Sequence, residues 1–176
     1  MSFIKKEESK PVHLSLRKPG LEDGAEVHRL ITQTEPLDIN SLYCYLLICD
    51  HFNETSILAH DNGSVKGFIS AYIHPRKNDT LFIWQVAVHS STRRQGLAMK
   101  MAMGILGRDC TRGIRYIETT VSPSNTASSL FFESLAARLE TGLVKEPYIT
   151  ESMFGEEKHE AEVLYRIGPF AAPHRA

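Results

Sequence analysis

The chain has 176 residues, of which 42% are hydrophobic and 23% are charged, and its formal net charge at pH 7 is -1. This length is typical of one globular domain with a sizeable core. The near-neutral charge excludes a strong basic field, so we expect neither nucleic acid nor an anionic membrane as a partner. No apolar run approaches the roughly 18 residues that cross a bilayer. The charged start, MSFIKKEESKPVH, lacks the apolar segment of a signal peptide.

The chain carries three cysteines. An odd number without a framework spacing indicates reduced thiols, and we therefore expect a cytoplasmic protein. Cys44 and Cys49 lie in an apolar, helix-like stretch, where core packing is favoured over metal binding. We expect no metal site.

The first half of the chain predicts three strands and two helices. We expect a flexible leader at 1–12, a single domain at 13–170 and a flexible tail at 171–176. The strands are expected at 14–19, 56–61 and 65–73, and the helices at 21–34 and 41–52. Ser41 or Asn40 is the expected N-cap of the second helix, and the sequence Asp61-Asn62-Gly63-Ser64 is typical of a hairpin turn.

The second half begins with the run LFIWQVAV at 81–88, which is apolar enough for a central strand covered on both faces. After this strand we expect a helix at 97–111, a strand at 116–121, a helix within 122–140, and strands within 141–149 and 161–168. The last two strands flank a loop at 151–160. The order β-α-α-β-β-β-α-β-α-β-β predicts an α/β sandwich with a mixed sheet.

The turn STRRQG at 91–96 joins the predicted central strand to a helix. It either only reverses the chain or holds an anion. A helix N-terminus offers unpaired N–H groups and a partial positive charge, both of which favour phosphate. Gly96 permits close approach of the backbone, and Arg93 and Arg94 add charge-assisted hydrogen bonds. The spacing matches neither a P-loop nor a dinucleotide-binding turn, so an anion site of another kind is favoured.

The pattern Arg93-x-x-Gly96-x-Ala98, between a strand and a helix, resembles the GNAT superfamily of acetyl-CoA-dependent N-acyltransferases. The resemblance implies a mixed, mostly antiparallel central sheet flanked by helices, with splayed central strands. It also implies acetyl-CoA as co-substrate, with its pyrophosphate at the turn and its pantetheine between strands 81–88 and 116–121. The cofactor-binding residues that it implies are Val86, Ala87, Val88, Arg93, Arg94, Gln95, Gly96, Leu97, Ala98, Asn125, Ser128 and Phe131.

Longer strings resemble a narrower family, the diaminobutyrate acetyltransferases of ectoine biosynthesis, over about residues 14–170. They are the pattern RKP-x-x-x-DG at 17–24 and the strings EPLDINSLYCYLLICDHF, WQVAV, ETTVSPSN and HEAEVLYRIGPF. This resemblance implies direct transfer of acetyl, in a ternary complex, to the side-chain (γ) amine of L-2,4-diaminobutyrate. The acetylated product then cyclises in a later enzyme to ectoine, a compatible solute made under osmotic stress. A homodimer that uses the C-terminal strands is also implied.

A diamino acid carries two ammonium groups and one carboxylate, so its pocket needs acids and a donor for the carboxylate. The candidate substrate-binding residues are Asp38, Asn40, Tyr43, Trp84, Thr119, His159, Glu160 and Glu162. Five of these have plain alternatives: Asp38 as a turn residue, Trp84 as core, and His159, Glu160 and Glu162 as part of the solvated surface run GEEKHEAE. Thr119 and Thr120 alternate along one strand, so only one should face the cleft. Tyr43 and Tyr45 point in different directions on one helix, so at most one should line the site.

Acetyl transfer requires a neutral amine, but an alkyl ammonium has a pKa near 10.4. A base must therefore help, and the oxyanion needs a backbone donor. The candidate catalytic residues are Asp38, Trp84, Val86, Glu118 and Glu160. Val86 would supply the backbone donor and Trp84 would exclude water. Glu118 is a candidate base, but it could equally be a paired structural carboxylate.

The sequence departs from the GNAT pattern at two places. Many family members have a tyrosine seven residues after the helix asparagine, where this chain has Phe132, and strand 81–88 has no carboxylate. The general acid is therefore left open between solvent, His159 and a tyrosine such as Tyr43. Two other functions also remain open: acetylation of another small amine, or a non-catalytic acyl-CoA-binding module.

Overall fold

The computed structural model describes residues 14–61 and 63–171. The expected leader at 1–12 lies outside these residues, as does the expected tail except for Ala171. Asn62 of the predicted hairpin turn also lies outside them.

The described part of the chain contains seven strands and four α-helices, and they follow one another in the predicted order. The strands are β1 (Ser15–Arg17), β2 (Ile57–Asp61), β3 (Ser64–Ile73), β4 (Thr80–Val88), β5 (Tyr116–Val121), β6 (Leu143–Ile149) and β7 (Glu162–Ile167). The helices are α1 (Gly24–Thr32), α2 (Leu42–His51), α3 (Leu97–Leu106) and α4 (Thr126–Arg138). Single 3₁₀ turns occur at Leu21–Asp23, Ser90–Thr92, Asp109–Thr111 and Glu151–Phe154.

The strands form one sheet in the order β1-β2-β3-β4-β5-β7-β6. All neighbouring strands are antiparallel except β4 and β5, which are parallel. These two strands pair only from Thr80–Phe82 to Tyr116–Glu118. Beyond this short ladder they separate, and their unpaired edges form the walls of a cleft. The predicted fold class, a mixed and mostly antiparallel sheet with splayed central strands, is confirmed.

Helices cover both faces of the sheet and enclose two cores. Helices α1 and α2 pack on one face through residues such as Val27 and Ile48, while α3 and α4 pack on the other. Strand β2 shows the alternation that divides the cores, since Leu58 faces α1 and α2 while Ile57 and Ala59 face α3 and α4.

A β-bulge in β4 changes which residues face each core. Ser70 of β3 pairs with Gln85, whereas the next residue, Ala71, pairs with Ile83, so Trp84 is an extra residue on β4. Ile83 belongs to the core beneath α3, but Ala87 belongs to the core beneath α1 and α2. A strand without the bulge would keep all its odd-numbered residues on one face. The bulge leaves Trp84 42% exposed beside the cleft, which excludes the core alternative for this residue.

Three predicted elements extend at one or both ends by two or more residues beyond the observed ones. The strand predicted at 14–19 is limited to Ser15–Arg17, and the helix predicted at 21–34 begins as a 3₁₀ turn and ends at Thr32. The helix predicted at 97–111 ends at Leu106, followed by Gly107 and a 3₁₀ turn. Glycine disfavours helix continuation, so the chain turns back toward β5 at this point.

The cysteines show the packing role predicted for the apolar stretch. Cys49 is fully buried, and burial raises the pKa of its thiol to about 12. Among residues 14–61 and 63–171 there is no group of three or more His, Cys, Asp or Glu side chains that could hold a metal ion. In the same ranges, no helix has the length and apolar character needed to cross a membrane.

Candidate active site

The basic turn connects the end of β4 to the first turn of α3. Gly96 is the N-cap of α3 and adopts a left-handed conformation, with φ of 72°. A Cβ atom at this position would have open space around it, so backbone conformation, and not crowding, favours glycine here. No side chain caps α3. Its first N–H groups, which have no partners within the helix, are therefore available to an anion.

A cavity of about 610 Å³, which we call the cofactor cavity, extends from this turn toward the splayed strands. Ten of the residues predicted to bind cofactor line it: Val86, Val88, Arg93, Arg94, Gly96, Leu97, Ala98, Asn125, Ser128 and Phe131. The side chain of Asn125 accepts a hydrogen bond from the Ser128 N–H at 3.0 Å and caps α4. Its amide N–H groups remain as donors for a ligand.

Two predicted cofactor residues, Ala87 and Gln95, do not line the cofactor cavity. Ala87 is fully buried in the core beneath α1 and α2, because it follows the bulge on the opposite face from Val86 and Val88. Gln95 is exposed, and its amide donates to the Ser91 carbonyl at 3.1 Å. Ala87 therefore cannot present its side chain to a ligand, whereas the exposed Gln95 side chain keeps its amide oxygen free.

A second cavity of about 250 Å³, the amine cavity, lies between the splayed ends of β4 and β5. Six of the eight predicted substrate residues line it: Asp38, Asn40, Trp84, Thr119, His159 and Glu162. Thr120 lines it too, although only one of the two threonines was expected to. Beyond Glu118, the edge of β5 that faces β4 is unpaired, and the cavity lies along this edge. Consecutive residues can therefore both line it, although their side chains point to opposite faces of the sheet.

The two cavities meet. They share Pro36, Leu37, Val86, Asn125 and Ser128 as lining residues. A thioester at the inner end of the cofactor cavity would therefore stand beside a group held in the amine cavity.

His159 forms an ion pair across the amine cavity. Its Nε2 atom lies 3.1 Å from Asp38 Oδ2, and its Nδ1 atom lies 2.7 Å from the carbonyl oxygen of Glu160. Both partners accept hydrogen bonds, so this geometry favours the imidazolium form, in which both ring nitrogens donate. The hydrogen bonds to Glu160 and then to Asp38 accordingly raise the pKa of His159. Phe154 stacks on the ring with centroids 4.0 Å apart and fixes its orientation.

Glu162 is a half-buried carboxylate in the same cavity. Burial raises the pKa of Glu162, although a hydrogen bond with Thr120 acts in the opposite direction. A carboxylate with a raised pKa accepts a proton more readily, as a general base requires.

Two other predicted substrate residues, Glu160 and Tyr43, do not line the amine cavity. Glu160 accepts a hydrogen bond from the Ser124 N–H at 3.0 Å, and its contacts with Ser124 lower its pKa. It ties the loop before β7 to the loop before α4. Tyr43 is 68% exposed on α2, while Tyr45 is fully buried and directed inward. Neither tyrosine lines the cavity, which agrees with the prediction that at most one of them would.

Glu118 lies in neither cavity. It is buried on β5, 2.8 Å from Lys77 Nζ, and it also pairs with the Arg166 guanidinium. Burial alone would raise the pKa of Glu118, but the two cations lower it below its usual value. A carboxylate held in this way is a weak proton acceptor, so the structure favours the paired structural carboxylate over the base.

Several lining residues were not predicted from the sequence. Pro36 and Leu37, which precede Asp38 in the string EPLDINSLYCYLLICDHF, line both cavities. Phe132, which replaces the family tyrosine, is buried and lines the amine cavity, so it cannot donate a proton there. Gln85 and Phe154 also line it, and no local pattern marks either residue.

Comparison with known proteins places these features in a family. The model of the Acetyltransferase (GNAT) family matches residues 25–136. The L-2,4-diaminobutyric acid acetyltransferase of Virgibacillus pantothenticus is 49% identical over 151 residues, covering 86% of this chain and 95% of the relative. The protein of the same name from Marinococcus halophilus is 42% identical over 153 residues, covering 87% of this chain and 88% of the relative.

A solved structure gives the same result. Diaminobutyrate acetyltransferase EctA from Paenibacillus lautus, in complex with its substrate L-2,4-diaminobutyric acid and coenzyme A, has a TM-score of 0.87 and 44% identity. The match covers 90% of this chain and 96% of that one. The ribosomal-protein-S18-alanine N-acetyltransferase of Escherichia coli, at 16% identity and a TM-score of 0.65, shares the fold. The predicted resemblances are confirmed, and the chain belongs to the L-2,4-diaminobutyric acid acetyltransferases, within the GNAT acetyltransferase family.

Proposed function

We propose that this protein transfers the acetyl group of acetyl-CoA to the γ-amine of L-2,4-diaminobutyrate, a step of ectoine biosynthesis. The observation that carries the proposal is the junction of two cavities at Val86, one beside a basic turn and the other lined by Asp38 and Glu162. The Paenibacillus lautus relative, whose structure holds diaminobutyric acid and coenzyme A together, supports this pair of ligands.

In the cofactor cavity, the pyrophosphate would lie at the N-terminus of α3, with Arg93 and Arg94 as cationic donors. Pantetheine would follow the unpaired edge of β4, where the backbone of Val86 and Val88 faces the cleft. The thioester would then reach the junction of the cavities. There the Val86 N–H would stabilise the oxyanion of the tetrahedral intermediate.

In the amine cavity, diaminobutyrate would insert into the existing ion pair. Its α-ammonium replaces the imidazolium as partner of Asp38, and its carboxylate replaces Asp38 as partner of His159. Both charges therefore keep a partner, which limits the desolvation cost of binding. Trp84 would cover the alkyl chain and exclude water from the junction.

Glu162 would accept the proton of the γ-ammonium, directly or through one water. The neutral amine attacks the thioester carbon, so a C–N bond forms and the C–S bond breaks, coenzyme A leaves as a thiolate, and the nitrogen releases its second proton to solvent. A thiol has a pKa near 8.5, so this leaving group needs little help from an acid, and solvent can protonate it. The products are the γ-acetylated amino acid and coenzyme A, formed by direct transfer in a ternary complex.

The test is thiol release from acetyl-CoA with a panel of amines: 2,4-diaminobutyrate, 2,3-diaminopropionate, ornithine, lysine and putrescine. We expect the highest kcat/KM for 2,4-diaminobutyrate, a γ-acetyl product by NMR, and initial-rate lines that intersect. A clear preference for putrescine or lysine would assign the protein to another small amine. Coenzyme A binding without thiol release for any amine would support a non-catalytic binding module.

The proposed enzyme is a homodimer in the cytoplasm. Support for dimerisation comes from β6, which forms one edge of the sheet and exposes Val144 and Tyr148, each at 53%. Lys145, Glu146 and Pro147 lie between these two residues and oppose direct strand pairing, so we expect the contact to form through the exposed apolar side chains. Sedimentation should give twice the mass of one chain, and Val144→Glu should shift the equilibrium toward the monomer.

The proposed cytoplasmic location is supported by the three free cysteines, because disulfides are rare in that compartment.

A further inference from the structure

Gln85 lies on β4 beside the loop that carries Asp38 and Asn40, which we call the substrate loop. It follows the extra residue of the β4 bulge and lies between Trp84 and Val86, both of which line the amine cavity. The side chain is only 6% exposed. Its backbone is also fixed, because the Gln85 N–H donates to Ser70 Oγ at 3.1 Å.

The Gln85 amide connects two elements through hydrogen bonds. Its Nε2 atom donates to the carbonyl oxygen of Asp38 at 2.8 Å. Its Oε1 atom accepts from the Tyr45 hydroxyl at 3.2 Å. The same hydroxyl accepts from the Asn40 N–H at 3.3 Å. These bonds form a closed ring that begins and ends in the substrate loop at residues 38–40.

The ring fixes the orientation of every group in it. Asn40 N–H can only donate and the Asp38 carbonyl can only accept, so the Tyr45 proton must point to Gln85 Oε1, and the amide cannot flip. The ring therefore holds the backbone of Asp38 and Asn40 against β4. In contrast, the Asp38 carboxylate is 74% exposed, so little besides His159 holds it directly.

We propose that Gln85 is a positioning residue, which sets the distance between the Asp38 carboxylate and the thioester on β4 and so selects the length of the diamine. This inference rests on the proposed function, since it takes Asp38 as the partner of the α-ammonium. With Asp38 held at one end and the thioester at the other, only an amine with the right number of methylenes reaches the acetyl carbon.

The test compares Gln85→Met with the unchanged protein. Methionine keeps the length of the side chain but cannot donate to Asp38, and its sulfur accepts from Tyr45 only weakly. We expect kcat/KM for 2,4-diaminobutyrate to fall about tenfold, as for the loss of buried hydrogen bonds. The preference for 2,4-diaminobutyrate over ornithine should fall about threefold or more, while the KM for acetyl-CoA stays within about twofold. A variant that keeps both rate and preference would overturn the proposal.

Tyr45→Phe is the milder second variant, because it keeps the buried ring and removes only the hydroxyl. We expect the same pattern at about threefold. If Gln85→Met does not fold, this variant decides the question by the same criteria. Thr111→Val is the matched control: Thr111 is fully buried, donates to the Ile105 carbonyl at 2.8 Å and lines neither cavity. Its kinetics should be unchanged even if its melting temperature falls.

A double-mutant cycle shows whether Gln85 works through Asp38. In an Asp38→Ala background, Gln85→Met should cost less than about twofold in kcat/KM, because the carboxylate that it positions is gone. An equal cost in both backgrounds would mean a general structural role and overturn the proposal. If the unchanged protein does not acetylate 2,4-diaminobutyrate at all, it is the proposed function that fails, which is a distinct outcome.

Discussion

The cofactor cavity and the amine cavity adjoin but are built in different ways. Most predicted residues of the cofactor cavity lie in one stretch, from Val86 to Ala98, with the rest at the start of α4. The amine cavity draws on five separate segments, including the loop before α2, both splayed strands and the loop before β7. The basic turn and the strand and helix beside it are encoded locally, whereas a site formed by five segments exists only after folding.

The two cavities also differ in charge. The turn beside the cofactor cavity carries Arg93 and Arg94, which suits a pyrophosphate. The amine cavity carries Asp38 and Glu162 with one imidazolium, His159, which suits two ammonium groups and one carboxylate. We therefore expect substitutions in one cavity to change the use of one substrate and leave the other almost unchanged, and each prediction below tests this separation.

The largest effect is expected for Glu162→Gln, which removes the proposed base. The rate kcat should fall about 10²- to 10⁴-fold, with little change in the KM for acetyl-CoA. Because burial raises the pKa of Glu162 above its usual 4.5, the acid form persists to higher pH than usual. The unchanged enzyme should lose kcat as pH falls through this raised pKa, and the variant should lack that limb. Steady-state kinetics across pH measures both effects.

The control for this experiment is Glu156→Gln, which alters an exposed residue of the loop before β7 that does not line the amine cavity. Its kinetics should match those of the unchanged protein. A Glu162→Gln variant with normal kcat and the same acid limb would show that another group takes the proton.

A smaller effect is expected for Asp38→Ala. Loss of the partner for one ammonium group should lower kcat/KM for diaminobutyrate about 10- to 100-fold. The KM for acetyl-CoA should stay within about twofold. Asp50→Ala, which removes an exposed carboxylate from α2, is the matched control. Normal KM and kcat for the diamine in the Asp38 variant would remove Asp38 from the site.

The reverse pattern is expected for Arg93→Ala and Arg94→Ala. Each should raise the KM for acetyl-CoA about tenfold, because a charge-assisted hydrogen bond to phosphate is lost, and kcat should change little. Arg94 has a positive φ of 61°, so Arg94→Gly removes the same charge without strain on the backbone. Lys100→Ala, on the exposed side of α3, is the control for lost charge. An equal change in the KM for the amine would contradict the separation of the two cavities.

The smallest kinetic effect is expected for Glu118→Gln, which tests the structural role of this carboxylate. Unfolding in urea should show a loss of about 1–2 kcal/mol, while kcat and both KM values stay within about twofold. Since the pKa of Glu118 is lowered in the folded state, its ion pairs stabilise the protein above the usual pKa of 4.5, and this contribution is lost as pH falls through the lowered value. A large loss of kcat with unchanged stability would return Glu118 to the list of bases.

Much of the fold could be predicted from local pattern, because periodicity, turn residues and apolar runs act between neighbours in the chain. The element order and the central strand were predicted in this way and are observed. Element ends were less accurate, as at 97–111, because a helix end depends on the contacts that compete with its continuation. The resemblance to relatives added the substrate and the cofactor, which periodicity does not contain.

The sequence by itself determined the basic turn, since Gly96 and the strand and helix beside it are adjacent in the chain and their backbone geometry is local. Only the tertiary structure decided which side chains meet in the amine cavity. The bulge at Trp84 exposes one residue and turns Ala87 away from its neighbours, and no local pattern specifies this shift of register. Likewise, Glu118 pairs with Lys77 and Arg166, and Gln85 holds the backbone of Asp38. Such contacts join residues about 40 or more positions apart, and folding alone brings them together.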